Sequence, residues 1–459
     1  MNSFLFNRQL GAISSQALAK AQNNRLLKAL QATDVRFALD HQDGTRPVIA
    51  TAGGSTIRTR DVAHAAGVSS IAIDRFEGRY LISAGADSSL AVWDLESAEA
   101  SSGEVHTHVP LEVTARTSTT ASLGITHISF YPFDSLALLT SGYDHTLKLF
   151  SSETLKSSAS FDLGSVIYSH ATSNIASHLL VACASQHPAV RLVDLRSGAS
   201  THSLPGHHGS VLSVAWHPRD EHVLASSATD GVVRLWDIRR SASSLGVLDL
   251  EDSIGVAGYD GKGTGARGRE RGKSHIGAAN GIVWTEDGRY LLSNGHDERM
   301  RIWDVQTGAN TLANFGPGLK NSSTTAVLPL IVPSHLSELG KETIFYPNPK
   351  EILGFDMHSG TLQSRLRVKG LPGSDSNARS MKSRTTALAW RAHSIEMYSA
   401  HGDGTIRCWR PRTMEDVVAE QEQAVERDGL EGDGAERKRK REEFERVVQD
   451  LTKKKILFS

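Results

Sequence analysis

Three histidine, serine and aspartate sets recur along the chain at nearly constant spacing: His64, Ser83 and Asp87; His207, Ser226 and Asp230; His275, Ser293 and Asp297. In each set the His precedes the Asp by 22 or 23 residues and the Ser precedes it by four. One such set in an exposed cleft would suit nucleophilic hydrolysis, with the imidazole drawing the hydroxyl proton and the carboxylate orienting the ring. Repetition argues against that chemistry, since a catalytic constellation is needed once. Each set is also followed by a tryptophan (Trp93, Trp236 and Trp303), whose indole N–H donor a nucleophilic serine does not require. The pattern suits buried polar groups that satisfy one another. No catalytic residue, cofactor or metal ligand is therefore expected. The stretch "GKGTGARGRERGKS" ends in Gly-Lys-Ser but lacks the spacing and the strand-to-helix setting of a phosphate-binding loop. Cys183 and Cys408 stand far apart in apolar runs, without zinc-ligand spacing or a disulfide framework, and fit a reducing compartment.

The elements that must position these sets are short strands. Four clear copies of one pattern are "YLISAGADSSLAVWDLE", "VLASSATDGVVRLWDIR", "YLLSNGHDERMRIWDVQ" and "MYSAHGDGTIRCWRP"; three weaker ones are "ALLTSGYDHTLKLFSSE", "LLVACASQHPAVRLVDL" and "TIFYPNPKEILGFDMHSG". Several short strands per repeat, with repeats about 40 to 60 residues apart, predict an all-β, seven-bladed propeller, because no blade can bury both sheet faces until its neighbours stack on it. The repeats resemble the WD40 family, in which the Asp, His, Ser or Thr, and Trp tie the strands of a blade together. Repeats two and seven depart from this, with Ala121 and Ser380 where the His would stand. Those blades are expected to rely more on packing, although Thr140, Asp144, Ser399 and Asp403 remain.

Two arginines suggest a partner. In "RLWDIRR" Arg239 lies two residues beyond Asp237, so both side chains leave the same side of the chain end. The preceding repeat has the same arrangement in Asp194 and Arg196. A surface ion pair contributes little to stability, but an Arg fork oriented by a carboxylate is suited to a partner's carboxylates or carbonyls. The paired motif resembles the Asp-x-Arg box by which substrate receptors of cullin-4 ubiquitin ligases dock on the damaged-DNA-binding adaptor protein. At the N-terminus, Ala17, Leu18, Ala21, Leu26, Leu27 and Leu30 have roughly helical spacing after a Ser14 or Ser15 cap. That face either packs on its own propeller or docks in a groove; in the second reading Phe4, Leu5, Arg8 and Leu10 enter the adaptor.

A closer resemblance is carried by "FLFNRQLG", "EGRYLISAGADSSLAVWDLE", "DHTLKLFSSETLKSSASF" with "VIYSH", "VLSVAWHPRDEHVLASSATDGVVRLWDIRRS" and "DERMRIWDVQTGANTLANFGP". Together with the weaker repeats between them they cover most of residues 1 to 410, and they resemble the Cockayne syndrome A family of WD-repeat receptors. The resemblance implies a non-catalytic receptor that docks on the damaged-DNA-binding adaptor, and through it on cullin-4 and a RING subunit. It implies that targets such as a chromatin-remodelling ATPase are presented at stalled RNA polymerase II for ubiquitylation in transcription-coupled repair. By the same resemblance, Trp236, Asp237 and Arg239 map onto the docking box and Phe4 to Gly11 onto the adaptor-binding segment. The alternative is a WD40 scaffold for chromatin or RNA-processing complexes with no ligase role.

The expected organisation is an N-terminal helical docking segment over 1–40, a propeller over 41–411 with a flexible Gly-rich insertion at about 251–274, and a charged, helical tail over 412–459. The basic run Arg437 to Arg441 resembles a nuclear localisation signal, and the nucleus is the expected compartment. The formal net charge of -1 provides no global field for a polyanion, so direct nucleic-acid binding is not expected. No apolar run reaches the roughly 18 residues of a membrane span. Tyr143 and His296, just before their turn aspartates, are the candidates for a partner face.

Overall fold

The computed structural model describes residues 14–39, 62–97, 106–114, 123–240, 244–250, 272–367 and 384–412, apart from 34, 199, 324, 339 and 392, together with residues 7, 9–11 and 418. It is a seven-bladed β-propeller, each blade an antiparallel four-stranded sheet. Blade 1 comprises Val68–Ile73, Tyr80–Gly85, Leu90–Asp94 and Pro110–Thr114, and blade 2 comprises Ile125–Tyr131, Asp134–Gly142, Thr146–Ser151 and Ser157–Asp162. Blade 3 is Ile167–Thr172, Leu180–Ser185, Ala189–Asp194 and Ser200–Pro205; blade 4 is Val211–Trp216, Val223–Ala228, Val233–Asp237 and Ser244–Val247. Blade 5 is Ala279–Trp284, Tyr290–Gly295, Met300–Asp304 and the two-residue Ala309–Asn310; blade 6 is Leu330–Ile331, Thr343–Pro347, Ile352–Asp356 and Leu362–Leu366. Blade 7 takes Thr385–Trp390, Met397–His401 and Ile406–Pro411, and its fourth strand comes from the other end of the chain, Leu30–Ala32.

That last pairing closes the ring, and it corrects the expected boundary at residue 40. The helix α1 (Ser15–Lys28) ends before the closing strand, and Arg36–Phe37 then pairs in parallel with Thr107–His108. Ser14 caps α1 by accepting the Ala17 N–H at 3.1 Å. Leu18 and Leu27 are buried, and Leu27 and Leu30 pack with Val332, Leu336, Phe345, Met397 and Trp409 of blades 6 and 7. The apolar face of this helix is thus satisfied by its own propeller. Ala17 remains exposed.

The second and third strands of most blades are buried along nearly their whole length because neighbouring blades cover both faces. The first strands of successive blades lie side by side and form the inner wall. Hydroxyls stitch this wall together: Thr386 donates to Val68 O at 2.7 Å, Thr126 to Ile167 O at 2.6 Å and Ser169 to Leu212 O at 3.2 Å. Each bond joins one blade to the next.

Residues 272–274, at the end of the expected insertion, are described. Ser274 is fully buried, accepts the Val233 N–H at 3.1 Å and donates to Leu248 O, so it belongs to the seam between blades 4 and 5. Residues 251–271, Ala121, Ser380, Arg437 to Arg441 and all of the tail but 412 and 418 lie outside the described residues. Among the described residues no helix is long and apolar enough to cross a membrane.

Candidate docking rim and partner face

The repeated polar sets are wired inside blades 1, 4 and 5. In blade 4, Trp236 Nε1 donates to Ser226 Oγ at 2.7 Å, His207 Nε2 lies 2.7 Å from the same oxygen, and His207 Nδ1 lies 3.2 Å from Asp230. Blade 5 repeats this with Trp303 to Ser293 (2.8 Å), His275 to Ser293 (2.8 Å) and His275 to Asp297 (3.0 Å). In blade 1, Trp93 and His64 meet Ser83 at 2.9 and 2.7 Å, but the link from His64 to Asp87 passes through the Ser89 hydroxyl at 2.6 Å. The indole takes one lone pair of the serine oxygen, and the imidazole Nε2 is the partner left for the hydroxyl proton or the second lone pair. All three serines are fully buried, so this hydroxyl has no open face for a substrate.

Burial pushes His64 down to about 4 against the opposing pull of Asp87, and it lowers His275 likewise. Burial alone would raise Asp297, yet His275 and Arg301 hold it well below the usual carboxylate range. The His64 and His275 rings are neutral at physiological pH and the aspartates charged.

Blade 7 retains more of the network than its sequence suggests. Trp409 donates to Ser399 at 2.8 Å, and His401, from the same strand as Ser399, supplies the imidazole at 2.8 Å. Asp403 is met by Arg407 at 3.2 Å. Blade 2 has Phe150 in place of the tryptophan, and Lys148 neutralises Asp144 at 3.0 Å. Blade 3 has lost the set altogether: Cys183 and Val193, both buried, occupy the serine and tryptophan positions.

The carboxylates that end the third strands form a second series. In blade 1, Asp94 takes a two-bond fork from Arg79 (3.0 and 2.7 Å), the residue before the second strand. In blade 5 the equivalent Arg289 lies 3.7 Å from Asp304. Blade 4 has His222 at that position, and Arg239 takes over, reaching Asp237 through Nε at 3.0 Å and Nη2 at 2.8 Å. Asp237 is 5% exposed, whereas the Arg239 side chain remains 61% exposed. The Arg239 fork holds Asp237 down to about 2. In blade 3, Asp194 is bonded by the Arg196 N–H at 3.0 Å and by the Ser197 hydroxyl at 2.9 Å, while the exposed Arg196 guanidinium bonds to no other described residue. The two Asp-x-Arg motifs share a register position but only one is locked.

This face also carries features that residue spacing did not flag. The turns between first and second strands expose Phe76, Phe133, Ile175 and Leu179, the last two in the blade of Asp194. Phe133, Leu179 and Leu195 line one recess, so the apolar groups of blades 2 and 3 are contiguous. Lys20 of α1 donates to Ser334 O in the corresponding turn of blade 6 at 3.1 Å, which places α1 on the same face. Leu10 is 65% exposed; Phe4, Leu5 and Arg8 lie outside the described residues. Trp236 is wholly buried, so it supports the rim from within. Tyr143 and His296 lie on the opposite face, in turns between second and third strands; Tyr143 is exposed and His296 Nε2 lies 2.6 Å from Ser323 O. Among the described residues no group of three His, Cys, Asp or Glu side chains is placed to hold a metal ion.

The family model described as "WD domain, G-beta repeat" matches residues 54–94, 198–237 and 271–304, the repeats of blades 1, 4 and 5 that carry the full network. The chain is a WD-repeat protein. It is similar to the WD repeat-containing protein ATCSA-1 of Arabidopsis thaliana, 29% identical over 80% of this chain and 90% of that protein. It is also similar to the ribosome biogenesis protein YTM1 of Chaetomium globosum, 28% identical over 52% of this chain and 54% of that protein, and to the radiation-sensitive protein 28 of Saccharomyces cerevisiae, 24% identical over 39% and 38%. Both cysteines of this WD-repeat protein are free and buried, and burial pushes the Cys183 thiol up to about 12, which leaves it inert.

Proposed function

We propose that this WD-repeat protein is a non-catalytic substrate receptor of a cullin-4 RING ubiquitin ligase, acting in the nucleus in transcription-coupled repair. The observation that carries the reading is the locked pair on blade 4: a buried carboxylate holds an arginine in a fixed, exposed pose, so docking costs little side-chain entropy. The adaptor would meet Arg239, the unrestrained Arg196 and the apolar patch of Phe133, Ile175 and Leu179, with the segment containing Phe4, Leu5, Arg8 and Leu10 entering its groove. The similarity to ATCSA-1 across most of both chains supports the Cockayne syndrome A resemblance. Cullin-4 and the RING subunit are reached through the adaptor. The presented partners are a chromatin-remodelling ATPase and RNA polymerase II, taken on the opposite face. A second reading, a scaffold in ribosome biogenesis without a ligase role, is favoured by the partial similarity to YTM1.

Reconstitution separates the two. The full chain mixed with the adaptor, cullin-4 and RING subunit is expected to co-elute as one complex, and a chain lacking residues 1–11 with Arg196→Ala and Arg239→Ala is expected to elute alone while keeping its circular dichroism. Free elution of the wild-type chain leaves the scaffold reading.

A further inference from the structure

On the face opposite the docking rim, the residue before the first strand accepts a backbone bond from the turn of its own blade in six of the blades. Gly67, Gly124, Val166, Ser210, Ala278 and Arg384 accept from Ala86, Tyr143, Gln186, Thr229, His296 and Gly402, at 2.8 to 3.0 Å. Six equivalent positions thus ring the end of the inner wall, and five of them carry small or apolar residues. At Gly67 and Gly124 the space is closed, since an added Cβ would come within 2.8 Å of Gly402 O or 2.7 Å of Ala86 O. Of these six positions, only that of blade 7 carries a long cation.

Arg384 is half-buried, and its Nη2 is held by the Ser323 hydroxyl at 2.7 Å and the Thr325 hydroxyl at 3.3 Å. Hydroxyls fix the guanidinium without neutralising it. Among the described residues no carboxylate lies within ion-pair distance, and Nη1 and Nε bond to no other described residue. The neighbouring turn acids are engaged in their own blades: Asp144 by Lys148, Asp297 by His275 and Arg301, Asp403 by Arg407. Glu298 is met by Lys320 at 3.6 Å. A partly desolvated charge without a counter-charge is costly; burial pushes the Arg384 guanidinium down, opposed by the nearby Tyr143 phenol. Tyr143, exposed in the blade 2 turn, hangs from Gly124 O, the position of this ring equivalent to that of Arg384. His296 joins them through Ser323, whose carbonyl it contacts and whose hydroxyl holds Arg384.

We propose that the mouth of this ring binds an acidic segment of a protein partner, with one carboxylate taking the open Nη1 and Nε edge of Arg384 and the exposed Tyr143 flanking the segment. The chemistry is that of a charge-assisted fork supplied on one side only, completed by the ligand. The inference goes beyond adaptor docking and does not depend on it, because the residues concerned lie on the other face.

The probe is a fluorescein-labelled hexaglutamate peptide titrated into the full chain and followed by fluorescence anisotropy. Wild-type protein is expected to bind it in a salt-weakened manner, Arg384→Gln to lose at least about tenfold, Arg384→Lys to retain part of the affinity, and Tyr143→Phe to lose a few-fold. Arg239→Gln, on the rim face, is expected to change nothing. Thermal melts accompany each variant, and if Arg384→Gln unfolds, Arg384→Lys and Tyr143→Phe carry the comparison. No hexaglutamate binding by the wild type, or equal binding by all folded variants, overturns the proposal. Equal affinity for inorganic phosphate and for the peptide also overturns it, by making the mouth a site for a small free anion.

Discussion

Blades 3 and 4 are neighbours built from one repeat, yet they hold their third strands by different means. Blade 4 anchors Trp236 to a buried Ser226 and His207, and one residue later the strand delivers a buried Asp237 with its arginine already locked. Blade 3 substitutes Val193 and Cys183, packs them among Leu139, Leu147, Ile167 and Val181, and delivers an Asp194 whose arginine side chain bonds to no other described residue. A polar network specifies position because each donor has one acceptor in reach; apolar packing supplies stability with less directional restraint. The comparison therefore assigns precision to the blade 4 rim and adaptability to that of blade 3.

The largest expected effect that tests this difference comes from Trp236→Ala. Removing a wholly buried indole, and with it one of the two partners of the Ser226 hydroxyl, should cost about 3–5 kcal/mol in chemical denaturation, and should loosen Arg239 as well. Acid is the next test. His64 titrates at about 4 in the fold but near 6.5 when unfolded, so the unfolded chain binds its proton first as pH falls. Its stabilising contribution is complete above about pH 6.5 and lost between 6.5 and 4, on the order of a few kcal/mol; the lowered His127, His170 and His275 act in the same direction. A melting series over this range should slope downward, and His64→Gln should flatten part of the slope.

Smaller effects follow in blade 3. Cys183→Ser recreates the serine of blade 4 without the indole and imidazole that satisfy it, and should destabilise by about 1–3 kcal/mol. A neutral result would mean that blade 3 has room to reorganise around a new hydroxyl. Arg196→Ala should leave the melting temperature nearly unchanged, within about 0.5 kcal/mol, since its guanidinium bonds to no other described residue.

The seven repeats were legible because the Ser-x-x-x-Asp spacing survives in four of them, three of these with Trp-Asp after it, and alternating apolar strands mark the rest. Ring closure was not. Leu30–Ala32 is three residues long and follows a helical run, so its periodicity is too short to distinguish it from the helix, and only its pairing beside Ile406–Pro411 defines it. His401 was overlooked because it reaches Ser399 from within one strand rather than from the loop position that the other blades use. Arg384 could have been found: set against Gly67 and Gly124 at the same repeat position, it is the conspicuous exception. The exposed Phe76, Phe133 and Ile175 had no such signal, because a turn apolar residue reads alike whether covered or bare.

The central claim is that a locked Arg239 on blade 4 is what the adaptor grips. Isothermal titration of the purified full chain with the adaptor tests it most directly, comparing wild type, Arg196→Ala and Arg239→Ala at matched folding. The account predicts tight binding by the wild type, a modest loss in Arg196→Ala, and a loss of more than about tenfold in Arg239→Ala with an unchanged melt. Equal affinity in wild type and folded Arg239→Ala would contradict it and reduce the blade 4 fork to a local replacement for the Arg79 fork of blade 1.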